Sequence, residues 1–569
     1  MHRPYLDPEP LHREDRRGVA DMAVGDMGLD RQDVHRDTKP RAGGGEARTV
    51  PEPAAPGNRA NQSNPVIVQA RARACGHETC SAPGGTAAIG ETGMEPELAQ
   101  GAGAALVVQG AALVAQGAPT ALDLSRGFSE GSLSPVMVLE QSLERLAAVN
   151  PVLNAAILID PGTGRRMAEA SARRWREGRP LSPLDGVPVA VKDTNHVAGW
   201  PTRYGAATTP DAPAPEDSPG VARLREAGAV FFCKTATPEF GWKGITHGSL
   251  TGVTRNPYDP SRTPGGSSGG SAALVAAGVV PLATGGDGGG SIRIPAAFTG
   301  VFGLKPTFGL VPYGTTSLGW LPVFGGLSRD VRDGALMLGV LARPDWRDAF
   351  AVPQPEVDYL GGVDAGVGGL RIAVSRDLGF PIVEPAVAAS VERGVAALAR
   401  AGAEVREVAL DLSPLRDALD VIWRAAFAGS LRHLTGADLQ RLEPDLLDLV
   451  VSARDLTAAH LQRAQDDARA HCQAMQRFHQ DHDLLVTPTL PIPAFAAGLN
   501  TPDPARFPRW YDWTPLTWPF NLSRQPASSV PCGLAHGLPV GLQVVGPLFG
   551  ESLVLRASRV VERAVNERP

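Results

Sequence analysis

Two glycine-rich stretches separated by an apolar segment decide how this chain is interpreted. Residues 264–271 read PGGSSGGS, and residues 285–295 read GGDGGGSIRIP. Glycine permits positive φ angles and close backbone approach, and successive backbone N–H groups in such loops form concave anion sites. A serine in such a loop lies beside its own oxyanion hole, which favours a nucleophilic role. We therefore expect Ser267 or Ser291 to carry covalent chemistry.

Three other interpretations of these loops are weaker. Gly/Ser-rich stretches are often flexible linkers, but residues 272–283 and 292–304 are apolar, as buried segments are. A phosphate-binding P-loop needs Gly-Lys-Ser/Thr after four spacer residues, which the sequence lacks. A dinucleotide-binding fingerprint needs a strand–loop–helix unit with an acidic residue further along, and it is disfavoured here.

The composition is that of a large globular protein without a bias toward nucleic acid. The chain has 569 residues, 43% of them hydrophobic, and a formal net charge of −6. This length is ample for a large core, and the near-neutral balance gives no reason to expect a nucleic-acid partner. Five scattered cysteines favour a reducing compartment over a disulfide framework, so we predict a cytoplasmic location.

Neither a metal site nor a membrane span is predicted. Cys75 and Cys80 flank one histidine, which is half a zinc site at best. His479 and His482 lack an accompanying HExxH pattern, and a solvated helix face explains them. Residues 99–118 are partly apolar, but their glycines and glutamines argue against a membrane helix.

The few lysines of the chain are concentrated around the serine loops. Only five of the 54 basic residues are lysines, and four of them lie between residues 192 and 305: Lys192, Lys234, Lys243 and Lys305. A lysine can lose its proton when it is buried, whereas an arginine stays charged. The titratable basic groups are therefore close in sequence to the candidate nucleophiles.

The pattern along the chain predicts an extension, an arm and one globular body. Residues 1–95 are rich in Arg, Pro, Gly and Asp without periodicity, so we expect them to be disordered or a non-native extension, with Met94 as a candidate true start. Residues 96–119 read as a low-complexity arm. The body covers residues 120–569 and includes a mostly helical insert around 412–480.

Within the body, alternating strand and helix patterns predict an α/β fold. Residues 186–192 read GVPVAVK, a strand that is apolar on both faces and therefore central. Lys192 ends this strand, and ligands of α/β sheets tend to bind beyond such carboxyl ends. A helix beginning at Ser218-Pro219 and a strand over residues 229–233 continue the βαβ pattern.

Three of the nine tryptophans lie within residues 507–520: Trp510, Trp513 and Trp518. Such a cluster is typical of a pocket wall or lid, and equally of ordinary core packing. The sequence leaves these two interpretations open.

The two loops and their flanks closely resemble the amidase signature family, which includes fatty-acid amide hydrolase and the catalytic subunit of glutamyl-tRNA amidotransferase. In that family a strand ending in lysine is followed by a Gly-Gly-Ser-Ser-Gly-Gly loop and a Gly-Gly-Ser-Ile-Arg loop, which match Lys192, residues 265–270 and residues 289–293. Further matches are RNP at 255–257, GLKP at 303–306 and GLPVGLQ at 537–543. The resemblance covers about residues 120–565 and implies a single α/β domain with a central mixed β-sheet surrounded by helices.

The chain departs from the family pattern in two places. The family usually has threonine before the aspartate of the second loop, where this chain has Gly286. We expect the missing hydroxyl to affect the rigidity of the loop rather than its chemistry. The N-terminal extension has no counterpart in the family core.

The resemblance implies a catalytic triad of Lys192, Ser267 and Ser291. Ser291 would attack the amide carbonyl, and Ser267, held by a cis peptide in the family, would pass the proton to Lys192. A free lysine has a pKa of about 10.4, so burial must lower the pKa of Lys192 by several units before it can act as a base.

The remaining site residues follow from the same resemblance. The oxyanion hole would consist of successive backbone N–H groups: those of Gly288, Gly289, Gly290 and Ser291. Three residues would brace the loops: Ser268, Asp287 and Arg293. For the other three lysines near the loops we expect structural ion pairs: Lys234, Lys243 and Lys305.

The sequence thus predicts an amide hydrolase that uses no metal or cofactor and forms an acyl-enzyme. Its partner would be a small-molecule amide, cleaved to an acid and ammonia or an amine, and the tryptophan cluster weakly favours a small or aromatic acyl group. Two related activities stay open: the catalytic subunit of a tRNA-dependent amidotransferase, which needs partner subunits, and a carbamate hydrolase. A binding protein without catalysis is disfavoured by the intact triad. The oligomeric state is left open, a homodimer included.

Overall fold

A large mixed sheet lies at the centre of the computed structural model, which describes residues 113–115, 117–314, 319–353, 355–380 and 382–566. Its strands and those of a separate small hairpin are, in chain order, β1 (Ala156–Ile159), β2 (Pro188–Lys192), β3 (Val230–Thr235), β4 (His247–Gly248), β5 (Gly252–Val253), β6 (Leu282–Asp287), β7 (Phe302–Lys305), β8 (Val323–Ser328), β9 (Arg371–Val374), β10 (Glu404–Glu407), β11 (Leu484–Pro488), β12 (Ala527–Ala535) and β13 (Leu538–Val545).

Eleven of these strands form the sheet in the order β1-β3-β2-β6-β8-β7-β12-β13-β11-β9-β10, while β4 and β5 pair with each other. Strand β2 runs parallel to β3 and β6, and β9 runs parallel to β10 and β11. The other neighbours are antiparallel. The predicted mixed α/β fold is therefore confirmed.

Helices pack around this sheet. In chain order they are α1 (Ala121–Glu130), α2 (Pro135–Leu153), α3 (Pro161–Arg176), α4 (Pro219–Glu226), α5 (Gly269–Ala276), α6 (Arg293–Thr299), α7 (Val331–Leu341), α8 (Pro385–Arg400), α9 (Leu415–Ser430), α10 (Gly436–Leu439), α11 (Pro444–Ser452), α12 (Ala458–Asp481), α13 (Pro519–Leu522) and α14 (Glu551–Asn566), with short 3-10 turns at Glu239–Gly241, Ala453–Asp455 and Trp510–Asp512. Helices α9 to α12 occupy the region for which the sequence predicts a helical insert, and they are called the helical insert below.

The strands and helix starts of the structure lie where the sequence patterns predict them. Strands β2, β3 and β6 are buried at every residue, as expected of central strands. Helices α2 and α4 begin at prolines, with Ser134 and Ser218 in the N-cap position. Neither serine hydroxyl makes a capping hydrogen bond, so the fixed φ of proline is the local feature that favours these helix starts.

The predicted extension at 1–95 lies outside the described residues, and so does most of the arm at 96–119. The described end of the arm packs on the body. Leu113 is buried, its carbonyl accepts a hydrogen bond from Arg145 at 2.8 Å, and the Ala115 amide donates to the carbonyl of Ala276 at 3.3 Å. Across the described residues, none of the helices has the length and apolar character needed to cross a membrane.

Candidate active site

The first serine loop runs into helix α5 and lies in a tightly packed part of the molecule. The peptide bond between Gly266 and Ser267 is cis, as the family resemblance implies. A Cβ atom on Gly266 would lie 2.3 Å from the carbonyl oxygen of Ile245, so only glycine fits there. Ser267 and Ser268 are both buried at this position.

Lys192 reaches this loop from the carboxyl end of β2. Its Nζ donates hydrogen bonds to the Oγ atoms of Ser267 at 2.7 Å and Ser268 at 2.9 Å. Its backbone N–H donates to Thr284 Oγ1 on β6 at 2.9 Å, which fixes the end of the strand. Within the described ranges, no carboxylate lies within 4.0 Å of the Lys192 amine.

Burial lowers the pKa of Lys192 to about 7, against the opposing effect of the Asp287 charge. Near neutral pH a large fraction of the amine is therefore uncharged. An uncharged amine has a lone pair that can accept a proton from a neighbouring hydroxyl. The geometry thus gives Lys192 the properties of a general base toward Ser267.

The second loop is organised by Asp287, the last residue of β6. Its carboxylate accepts hydrogen bonds from the backbone amides of Gly290 at 2.7 Å and Ile292 at 3.2 Å, and from Arg293 Nε at 3.0 Å. Burial alone would raise the pKa of Asp287, but the Arg293 guanidinium holds it well below its usual range. The charged pair therefore fixes the turn that carries Ser291.

Arg293 connects this turn to the C-terminal part of the chain. Its Nη1 donates to the carbonyl of Thr517 at 2.7 Å and to Gln543 Oε1 at 2.8 Å, and its Nη2 donates to Asn521 Oδ1 at 2.7 Å. All of its guanidinium nitrogens are bonded, which offsets the cost of burying the charge. Asp287 and Arg293 thus contact each other and both sides of the turn, and their bracing role stays a prediction.

Three backbone N–H groups of the second loop have no acceptor in the described part of the chain: those of Gly288, Gly289 and Ser291. The amide of Gly290 is different, because it donates to Asp287. The N–H groups of Gly288, Gly289 and Ser291 therefore remain available for a developing oxyanion. The N–H group of Gly290 was also predicted to serve there, but it donates a hydrogen bond within the turn.

Two tryptophan rings pack directly on these glycines. A Cβ atom on Gly289 would lie 2.7 Å from Cη2 of Trp510, and one on Gly288 would lie 3.5 Å from Cη2 of Trp423. The cluster of Trp510, Trp513 and Trp518 is buried in the core together with residues of the helical insert. Core packing therefore accounts for these tryptophans, and Trp510 also packs against the second serine loop.

Tyr313 explains the departure at Gly286. A Cβ atom on Gly286 would lie only 2.3 Å from Tyr313 Oη. The phenol thus fills the space that a threonine side chain would need, and burial raises the pKa of Tyr313 so that it stays protonated. The glycine and the tyrosine are complementary, a pairing that the sequence alone could not show.

A cavity of about 790 Å³ lies near the serine loops, and some of its lining residues contact them. Its apolar lining comes from both the sheet side and the helical insert: Tyr204, Phe240, Tyr313, Pro322, Phe427 and Leu431. A Cβ atom on Gly288 would lie 3.7 Å from Cγ of Pro322, and one on Gly241, next to Phe240, would lie 3.1 Å from Ser267 Oγ. Pro322 and the turn at Glu239–Gly241 therefore connect the lining of the cavity with the two loops.

The three remaining lysines near the loops differ in their partners. Lys234 forms an ion pair with Asp193 at 2.9 Å, and Lys243 forms one with Glu443 at 2.5 Å, so structural pairing is confirmed for both. For Lys305 that prediction is wrong, because no described carboxylate lies within 4.0 Å of it. Its amine donates to the carbonyl of Pro306 at 3.0 Å, and burial lowers its pKa to about 7.

Several supporting residues were not predicted from the sequence. Thr284, Thr517 and Asn521 lie outside the quoted motifs, and Gln543 lies inside the segment 537–543 but without an assigned role. All four side chains are buried. A polar residue between apolar or glycine neighbours was the sequence signal for them, because buried polar groups need hydrogen-bond partners. Their partners depend on tertiary contacts that no local pattern reveals.

Comparisons with known proteins agree with this fold. The sequence model of the Amidase family matches residues 137–555. An acylamidase of Rhodococcus erythropolis is 37% identical over 451 residues, which cover 77% of this chain and 94% of that protein. The A-type subunit of the glutamyl-tRNA(Gln) amidotransferase of Symbiobacterium thermophilum is 37% identical over 467 residues, covering 77% and 95%.

The crystal structure of a bacterial aryl acylamidase of the amidase signature family superposes with a TM-score of 0.74 at 28% identity, covering 79% of this chain and 96% of that one. The chain therefore belongs to the amidase signature family, as the motifs predicted. Its activity is that of a hydrolase of carbon–nitrogen bonds other than peptide bonds.

Proposed function

We propose that the protein hydrolyses carboxylic amides through a triad of Lys192, Ser267 and Ser291 and a covalent acyl-enzyme. One observation carries this proposal. Among the described residues, a buried lysine without a carboxylate partner lies 2.7 Å from Ser267 Oγ, beside a loop with three backbone N–H groups that have no acceptor. This combination of base, relay hydroxyl and oxyanion donors is what acyl transfer requires.

The proposed reaction begins when Ser291 Oγ attacks the amide carbon. The Ser291 proton moves to Ser267 Oγ as the Ser267 proton moves to the neutral amine of Lys192. The C–N bond of the tetrahedral intermediate then breaks, and the proton returns from Lys192 through Ser267 to the departing nitrogen. Water, activated by the same route, attacks the acyl-enzyme and releases the acid. One amide and one water give one acid and one amine or ammonia.

The oxyanion of both tetrahedral intermediates would be held by Gly288, Gly289 and Ser291. Each such backbone donor contributes about 3–4 kcal/mol to transition-state stabilisation. The hydrogen bond from the Ser268 amide to the Ser291 carbonyl at 3.1 Å joins the two loops and supports their alignment.

The substrate would be a small-molecule amide with an apolar or aromatic group next to the reacting carbonyl. The aromatic and aliphatic lining of the cavity supports this class, as does the similarity to an aryl acylamidase. We also propose a cytoplasmic location, which the unbridged cysteines Cys233 and Cys472 support.

Two measurements test this proposal. Release of amine or ammonia from aliphatic, aromatic and carbamate substrates identifies the reaction, and a carbamate-only profile would replace the amide assignment. Mass spectrometry after fluorophosphonate treatment identifies the nucleophile. We expect the adduct on Ser291, no adduct in Ser291→Ala, and slowed labelling of Ser291 in Ser267→Ala. An adduct on Ser267 would reverse the two roles.

A second candidate is the catalytic subunit of a tRNA-dependent amidotransferase. The observation in its favour is the amidotransferase relative, which matches this chain at the same 37% identity as the acylamidase. Co-purification with partner subunits and glutamine-dependent transfer of ammonia would identify that function. Amide hydrolysis by the purified chain alone, without such partners, would favour the hydrolase.

A further inference from the structure

We propose that the helical insert controls which substrates fit the cavity through a buried ion pair, with Lys243 and Glu443 acting as positioning residues for the turn at Glu239–Gly241. This inference rests on the proposed function, because its test reads turnover at the same site. It adds a structural origin for selectivity toward amides that carry an aromatic ring.

The turn at Glu239–Gly241 has an unusual backbone. Phe240 has φ of 51° and Gly241 has φ of 68°. A positive φ is uncommon for a bulky residue, so it persists only where the surroundings impose it.

The turn touches both the catalytic loop and the cavity. A Cβ atom on Gly241 would lie 3.1 Å from Ser267 Oγ. The ring of Phe240 lines the cavity and stacks on Tyr204, with ring centroids 6.2 Å apart and planes 21° apart. The Phe240 amide also donates to the carbonyl of Tyr204 at 2.7 Å. A shift of this turn would therefore change the aromatic wall of the cavity.

The helical insert supplies the contacts that fix the turn. Lys243 Nζ lies 2.5 Å from Glu443 Oε2, at the start of α11, and the indole N–H of Trp242 donates to the same oxygen at 3.1 Å. The backbone amide of Glu443 donates to Glu239 Oε2 at 2.9 Å. Lys243 and Glu239 are 1% and 0% exposed, so this cluster has little access to water.

The insert also forms part of the cavity directly. Phe427 on α9, together with Leu431 and Leu434 just after it, lines the same space as Phe240. The aromatic wall held by Glu443 and the apolar wall made by α9 thus both depend on the insert. Ring-bearing amides use these walls, whereas a substrate as small as acetamide does not reach them.

The test compares Glu443→Gln with Asp448→Asn, a control on the same helix whose carboxylate pairs with Arg509 and is 65% exposed. The Gln variant keeps the side-chain shape and the backbone contact to Glu239 but removes the charge partner of Lys243. We expect kcat/KM for benzamide to fall about tenfold more than kcat/KM for acetamide, a size typical of a changed apolar pocket. We expect the control variant to keep the wild-type ratio.

A double variant, Lys243→Met with Glu443→Gln, removes both charges and is used if the single variant does not fold. It should show the same loss of preference for benzamide. An unchanged benzamide-to-acetamide ratio in a folded variant would overturn the inference. Labelling of Ser291 in the wild-type protein by a fluorophosphonate separates this inference from the proposed function. A wild-type protein that is not labelled would contradict the proposed triad, whereas the ratio of the two kcat/KM values tests the role of the insert.

Discussion

The ends of strands β2 and β3 carry two buried lysines in very different surroundings. Lys192 and Lys234 lie on neighbouring parallel strands, with Lys192 opposite Thr235 and Lys234 opposite Val191 in the register. Lys192 is 2% exposed and Lys234 is 0% exposed. Lys192 contacts two serine hydroxyls, whereas Lys234 contacts Asp193, the hydroxyl of Thr202 and the carbonyl of Pro201.

The difference lies in one carboxylate: Asp193 forms an ion pair with Lys234, and among the described residues no carboxylate lies as close to Lys192. Burial lowers the pKa of both lysines, because desolvation penalises the charged form. The charge of Asp193 opposes this effect at Lys234 through a direct ion pair. Among the described residues, the charge that opposes burial at Lys192 is that of the more distant Asp287, and the pKa of Lys192 falls to about 7. Asp193 follows Lys192 in the chain and yet neutralises the lysine of the next strand.

Replacing Lys192 tests the base directly and should have the largest effect. We expect Lys192→Met to lower kcat by about 10³-fold, since general base catalysis contributes about 10²–10⁴. The folded state should remain, because an apolar side chain of similar length replaces an uncharged amine that is already buried. Turnover and the unfolding midpoint in urea measure the two effects. Turnover within a few-fold of wild type would remove Lys192 from the mechanism.

Replacing Lys234 should give the opposite result. Lys234→Met leaves the Asp193 carboxylate buried without its partner, which costs about 3–5 kcal/mol of folding free energy. We expect kcat per folded molecule to stay close to wild type, because Lys234 does not contact the serines. Urea unfolding measures the stability, and active-site titration corrects the turnover. A large loss of kcat with unchanged stability would break the comparison between the two lysines.

A smaller effect is expected at Thr284, which holds the end of β2. Its Oγ1 accepts from the Lys192 amide at 2.9 Å and donates to Asn195 Oδ1 at 3.0 Å. Thr284→Val keeps the shape but leaves both partners unsatisfied, at a cost of about 1–3 kcal/mol. We expect a several-fold fall in kcat with KM little changed, measured by steady-state kinetics. Equal kinetics in a destabilised variant would show that Thr284 supports the fold alone.

Much of the site could be predicted because its chemistry is local in sequence. The glycine loops predicted roles for Ser267, Ser291 and Asp287, and the apolar strand with a terminal lysine predicted one for Lys192. The structure places Lys192 at 2.7 Å from Ser267, and the roles themselves stay predictions. The mixed sheet followed from strand and helix patterns together with the family resemblance. In these cases the residue type and its immediate neighbours already contain the physical reason for the structure.

The remaining features depend on contacts between distant segments. The pairing of Asp193 with Lys234 rather than Lys192 is set by how the ends of two strands lie side by side. The fit between Gly286 and Tyr313 joins a residue of β6 to a residue of a later loop. The interpretation of the tryptophans stayed open for the same reason, because burial against Gly289 cannot be read from the composition of a segment.

The pH dependence of Ser291 labelling by a fluorophosphonate tests the central claim, that neutral Lys192 is the base, most directly. Protonation of Lys192 removes the acceptor, so the labelling rate should fall as the pH drops below the pKa of the lysine. We predict a rate that rises through an apparent pKa near 7 and is level above it, with the same profile in Lys234→Met. A rate that keeps rising to pH 10, or one that does not change between pH 5 and 9, would contradict the account.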